Sequence, residues 1–251
     1  LRWPALAALF LTMQAWTEMT YASFLLVFIA LYVVYQVLDF GLRMANLQPS
    51  TSNLQPPTSN LKFIVRNLLA LALLFALGIS PLLAAMLPDM RAEGDFFVQG
   101  SGFAEFYSAD LFGFLVPTIH HPLLGGLLSH TSIVNFSIGQ HIYLGFTLLI
   151  LALVGVMGAS PQLRRRRDAG FWLLAALFFA WLVLGPTVHV NGTDTGVPGP
   201  FVVLQSLPFI KGNRYPSRYS LMLVLSLAML AAMGVEMILQ KVTRHRVAGI
   251  R

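Results

Sequence analysis

Apolar residues in this chain arrive in long runs rather than in stripes, so the helices they predict are hydrophobic all round, the signature of burial in lipid or in a large core. Six such runs stand out, at residues 3–16, 21–38, 63–87, 143–159, 171–184 and 219–239. A helix crossing a bilayer needs roughly 20 apolar residues. The runs at 63–87 and 219–239 meet that length, the run at 21–38 approaches it, and those at 3–16 and 171–184 fall short. Glu18 and Thr20 mark a tight turn between the first two runs, and Pro186 stops the fifth. The pattern predicts an all-α, polytopic transmembrane bundle of about six membrane helices. Two long polar loops, residues 88–140 and 187–218, are expected to carry short helices lying along the membrane interface.

Between the second and third runs the polar pattern is itself periodic. NLQPSTS at residues 46–52 is followed by NLQPPTS at 53–59, and small polar residues with prolines bury no core. The expected organisation is therefore an N-terminal helix hairpin at 1–45, a disordered low-complexity linker at 46–62, and a membrane helical domain at 63–251. Leu1 is not an initiator methionine and no small-residue cleavage site follows the first run, so the sequence is expected to be the later portion of a longer protein.

Composition agrees with the pattern, with 57% hydrophobic and 10% charged residues against roughly 25% charged in soluble domains. The absence of cysteine removes any disulfide framework or thiolate metal site. A net charge of +6 would point to nucleic acid in a soluble chain. Here the cations divide by side of the membrane, and the expected partner is the lipid bilayer rather than nucleic acid. Arg2, Arg43, Lys62, Arg66, the four arginines at 164–167, Lys241, Arg244, Arg246 and Arg251 fall on one side of the six-helix arrangement, and Arg91, Lys211, Arg214 and Arg218 on the other. Basic residues near helix ends are retained in the cytoplasm, which makes both termini cytoplasmic and both long loops external.

Three of the four external cations crowd into LPFIKGNRYPSR, just ahead of the last apolar run. Guanidinium forks suit phosphate or carboxylate, and Arg214 and Arg218 share a helix face if that helix begins early. Lys211, Arg214 and Arg218 are accordingly the candidate lipid-phosphate-binding residues. The plainer reading is that they snorkel to headgroups or pair with external acids such as Asp110.

Among the loop residues, Asp110, His120 and His121 are the remaining candidates. Imidazole and carboxylate are ordinary metal ligands, yet His120 and His121 are adjacent, which puts them on different faces of a helix, and no ligand set of known spacing forms. No metal and no resident cofactor are expected. The acids Asp89, Glu93 and Asp95 read as a solvated loop more readily than as a general base. Asn135 and Asn191 head glycosylation triplets that arise often by chance. The stretch at 108–128 is apolar but broken by Gly113, Pro117, Pro122, Gly125 and Gly126. It is expected to lie along the interface, with Ser108 or Asp110 capping a short helix, Leu111, Phe112, Leu115 and Val116 dipping into lipid, and Asp110 in the water layer.

Two stretches, ADLFGFLVPTIHHPLLG at 109–125 and LPFIKGNRYPSRYSLMLVLSLAMLAAMGVE at 207–236, resemble bacterial membrane proteins related to the GT-C glycosyltransferases. The segment Arg214-Tyr215-Pro216-Ser217-Arg218 stands where that family carries an arginine-proline-arginine element on the outer face before a late helix. The resemblance implies a bacterial inner-membrane enzyme that takes sugar from a polyprenyl-phosphate carrier at the outer face. Its catalytic acid belongs to an early external loop that the present residues do not supply, so no catalytic residue is carried over. The alternative is a multi-pass membrane protein acting as a transporter or a non-catalytic scaffold. A transporter is expected to hold ionisable residues at mid-membrane, and the centres of the apolar runs carry none.

Overall fold

The computed structural model describes residues 2–46, 58–93, 103–129, 134–136, 140–158, 163–206 and 215–248. They form a mostly helical protein in two compact units, Leu1–Val98 and Gln99–Arg251.

The first unit holds α1 (Arg2–Thr17), α2 (Met19–Asn46) and α3 (Thr58–Glu93). Helix α1 packs against both of the others. Its Leu11 and Ala15 meet Ala22, Leu25 and Ile29 of α2 and Phe75 and Ile79 of α3. The approach to α3 is close because residue 78 is glycine, where any side chain would strike Thr12. Trp16 fixes the same point of contact by donating its indole N–H to the Gly78 carbonyl at 3.0 Å. Helix α3 begins at Thr58, so the last residues of the expected linker are helical; the rest of the repeat lies outside the described residues. It also continues through Pro81 and Pro88 to Glu93, past the point where the loop was expected to open. Membrane helices absorb proline in this way because neighbouring groups take up the freed carbonyl.

The second unit contains α4 (Phe103–Phe106), a 3-10 turn at Phe112–Phe114, α5 (Gly125–Ser129), α6 (Phe146–Met157) and α7 (Leu163–Val183). After α7 come a hairpin of β1 (Thr187–Val190) and β2 (Thr193–Pro198), α8 (Phe201–Gln205), a second 3-10 turn at Pro216–Tyr219, and α9 (Ser220–Ala248). Helix α9 is the hub, packed against α6 and α7. Leu230 of α9 shares a core with Ala152 of α6 and Ala169 of α7, walled by Val156, Trp172, Leu227 and Met233. Small residues let the backbones approach, as between membrane helices generally. A side chain at Gly155 would fall on the Leu230 carbonyl, and one at Gly234 on the Leu151 carbonyl.

Among the described residues three segments are long and apolar enough to cross a membrane: Met19–Leu42, Lys62–Asp89 and Pro216–Thr243. The other three apolar runs form α1, α6 and α7, of 16, 12 and 21 residues, with α7 opening on the four arginines. The fourth run loses its first residues to pairing: Ile142 and Leu144 donate to the Gly113 and Phe114 carbonyls, and Gly145, at a φ of 81°, turns the chain into α6.

Candidate functional site

The polar layer of the second unit is organised on residues 107–114, which run between four other segments. Ala109 donates to Val183 at the end of α7, Asp110 to Gln140, and Leu111 to His189 of β1, while the Tyr107 carbonyl accepts from Ser217 at 3.1 Å. Asp110 bridges His189 in parallel, alongside the hairpin. Its side chain completes the tie. One oxygen, Oδ1, accepts the Phe112 amide at 2.8 Å and the Asn191 amide at 2.9 Å, and Oδ2 accepts the Gly192 amide at 2.8 Å. The carboxylate therefore shapes its own turn and also seats the hairpin turn.

The cap expected of Ser108 or Asp110 is corrected, since the 3-10 turn has Leu111 at its N-cap and Asp110 instead closes an Asx turn onto the Phe112 amide, and so is the expected place of Asp110 in the water layer: it has 0% exposure. A carboxylate withdrawn from water needs donors in return, and the hairpin supplies two from residues 191 and 192. With those amides on it, Asp110 acts as a tie within the layer. Packing around it is tight. Gly185 has no room for a side chain beside Ser108, whose hydroxyl bonds the Ala104 carbonyl, and Gly199 has none beside the Gly185 carbonyl.

The hairpin falls in a stretch expected to be loop with short helices, although a signal for it exists in the sequence. Asn191-Gly192 sits between Val190 and Thr193, which pair, and both turn residues have positive φ, 49° and 79°. Asn-Gly favours such a turn because both residues tolerate the left-handed region. The same asparagine heads a glycosylation triplet, and that pattern masks the turn signal. The Asn191 side chain is engaged in the fold, its Oδ1 accepting the Asn135 amide at 3.1 Å.

The histidines are spread through this layer. His120 is exposed. His121 turns inward, where Nδ1 accepts the Leu123 and Leu124 amides, each at 3.2 Å, and its ring meets Tyr143 edge-on. His141 Nδ1 lies 3.3 Å from the Val116 carbonyl, and His189 Nδ1 lies 3.2 Å from that of Thr187. Among the described residues, no three His, Asp or Glu side chains gather as metal ligands would.

Lys211 and Arg214 lie outside the described residues. Arg218 sits on the 3-10 turn that opens α9, and its neighbours hold it there. Pro216 and Tyr219 are buried, with Tyr219 between Phe179 at 6.2 Å and Phe201 at 6.1 Å. The Arg218 guanidinium carbon stands 4.6 Å above the Tyr215 ring, which lies 4.4 Å from the Tyr107 ring. The early helix start on which a shared face for Arg214 and Arg218 depended is not seen among the described residues: Tyr215 is extended, at φ −124° and ψ 80°, and the turn starts at Pro216. Proline disfavours helical geometry in the residue before it. The 4.6 Å between the Arg218 guanidinium carbon and the Tyr215 ring is within cation–π range, so that ring holds the guanidinium in place. Comparison with models of known protein families, with curated proteins and with solved structures finds no match to this chain.

Proposed function

We propose that this integral membrane protein recognises the phosphate of a lipid-linked sugar at the outer face of a bacterial inner membrane, as the carrier-binding region of a GT-C-like glycosyltransferase. The observation that carries the reading is Arg218, mounted on Tyr215 and Tyr107 at the mouth of a 28-residue span, Pro216–Thr243. Phosphate of a membrane-embedded carrier lies at that depth, and an anionic headgroup or carrier phosphate is attracted to cations beside a helix end. In glycosyl transfer an acceptor hydroxyl bonds to the sugar's anomeric carbon and gives up its proton while the bond between that carbon and the phosphate oxygen breaks, and the lipid phosphate leaves as an anion. Arg218, with Arg214 and Lys211 from the same loop, would neutralise it. No residue is assigned as catalytic base. The proposed topology has six crossings, both termini and the 164–167 arginines cytoplasmic, and the hairpin external.

Arg218→Lys keeps the charge but loses the two-pronged contact. In detergent, affinity for a polyprenyl phosphate should fall by on the order of 1–3 kcal/mol in that variant and further in Arg214→Ala/Arg218→Ala, with insertion unchanged. Equal affinity in the parent and the double variant would overturn the clamp and leave both arginines as interfacial anchors.

A further inference from the structure

We infer that residues 111–128 form a surface that seats in one leaflet of the bilayer without crossing it. The segment holds no Asp, Glu, Lys or Arg. Six of its large apolar side chains face outward: Leu111, Phe112, Leu115 and Ile119 are 45–52% exposed, Leu127 is 68% and Leu123 is 85%. Isolated exposed apolar residues need no explanation, but six in one short uncharged stretch mark a binding surface.

Lipid is the occupant that the backbone favours. A non-helical segment enters hydrocarbon only if its amides are satisfied from within. Here Leu111, Gly113, Leu115, Val116, His121, Gly125 and Leu128 donate to protein carbonyls, and Phe112 donates to the Asp110 carboxylate. The Leu123 and Leu124 amides, which carry the most protruding part of the surface, are both taken by the His121 ring. His121 thereby closes a turn that would otherwise present two N–H groups to lipid. Glycine at 125 allows the fold-back, since a side chain there would strike the Ile119 carbonyl.

Position supports the same occupant. The Tyr107 carbonyl, four residues before Leu111, holds Ser217 at the mouth of the α9 span, so a membrane threaded by α9 has its surface close to the start of this segment. The exposed apolar side of α6, with Phe146, Ile150 and Leu153, follows shortly after the segment ends. The inference does not depend on phosphate recognition by Arg218.

The chain has no cysteine, so single-cysteine variants report one site each. Leu123→Cys and Leu127→Cys, reconstituted in phospholipid nanodiscs and labelled with a fluorophore, would be compared with Leu225→Cys on α9 and Thr193→Cys on the hairpin. Quenching by spin-labelled lipid should be as strong at 123 and 127 as at 225, and absent at 193. Quenching at 123 and 127 by a water-soluble collider to the level seen at 193 would overturn the inference. Protection from both quenchers would overturn it equally, by showing a protein partner over the surface.

Discussion

Asp110 spreads three backbone donors over two oxygens, so deleting its side chain strands three N–H groups at once. Each unsatisfied donor costs about 1–3 kcal/mol where water cannot replace the acceptor. Asp110→Ala should therefore lower the stability of the second unit by at least about 3 kcal/mol. Asp110→Asn should lose less, because one amide oxygen can still accept the Phe112 and Asn191 donors. The apparent unfolding midpoint in detergent checks this, and an unshifted midpoint in the alanine variant would show that the tie contributes nothing. Only the local half of this arrangement is legible in the sequence. A turn closed two residues on follows from aspartate's own chemistry, whereas the Asn191 and Gly192 donors lie 81 and 82 residues away and no local pattern announces them. Asn191-Gly192 is readable as a turn. Its conjunction with Asp110 is not, because that depends on which loops the helices bring together.

At the scale of elements, long apolar runs translate directly into helices, and the ends shift for identifiable reasons. Flanking polar residues join α2 and α3 because a helix propagates cheaply once begun. Residues 143–145 leave α6 because Ile142 and Leu144 pair with the 113–114 segment instead. Which glycines matter cannot be read from the runs themselves. Gly155 and Gly234 do, since each faces a backbone carbonyl of the other helix, and a backbone carbonyl cannot swing aside as a side chain can. Gly155→Ala should push α6 and α9 apart and destabilise their contact by about 1–3 kcal/mol, the usual range for overpacking. Gly126→Ala, where nothing lies within 4 Å, provides the control and should be near neutral. The two variants would be compared by resistance to proteolysis in detergent; equal resistance would contradict the close crossing.

At the scale of the whole molecule, a helical membrane protein is legible from composition and pattern, and the number of crossings is not. Beyond the three long spans, α6 is an apolar helix, yet α6 and α1, at 12 and 16 residues, are shorter than a perpendicular crossing of roughly 20 residues requires. Pairs of short helices packed on a long one, as α6 and α7 pack on α9, can share that burden where the bilayer thins or the helices reach it by snorkelling ends. Six crossings put the 164–167 arginines and the hairpin on opposite faces, whereas three crossings put them on the same face. Cysteines at 165 and 194 discriminate between them. In sealed cells treated with a membrane-impermeant maleimide, the six-crossing topology predicts labelling at 194 without permeabilisation and at 165 only after it. Labelling of both positions from the same side would contradict it.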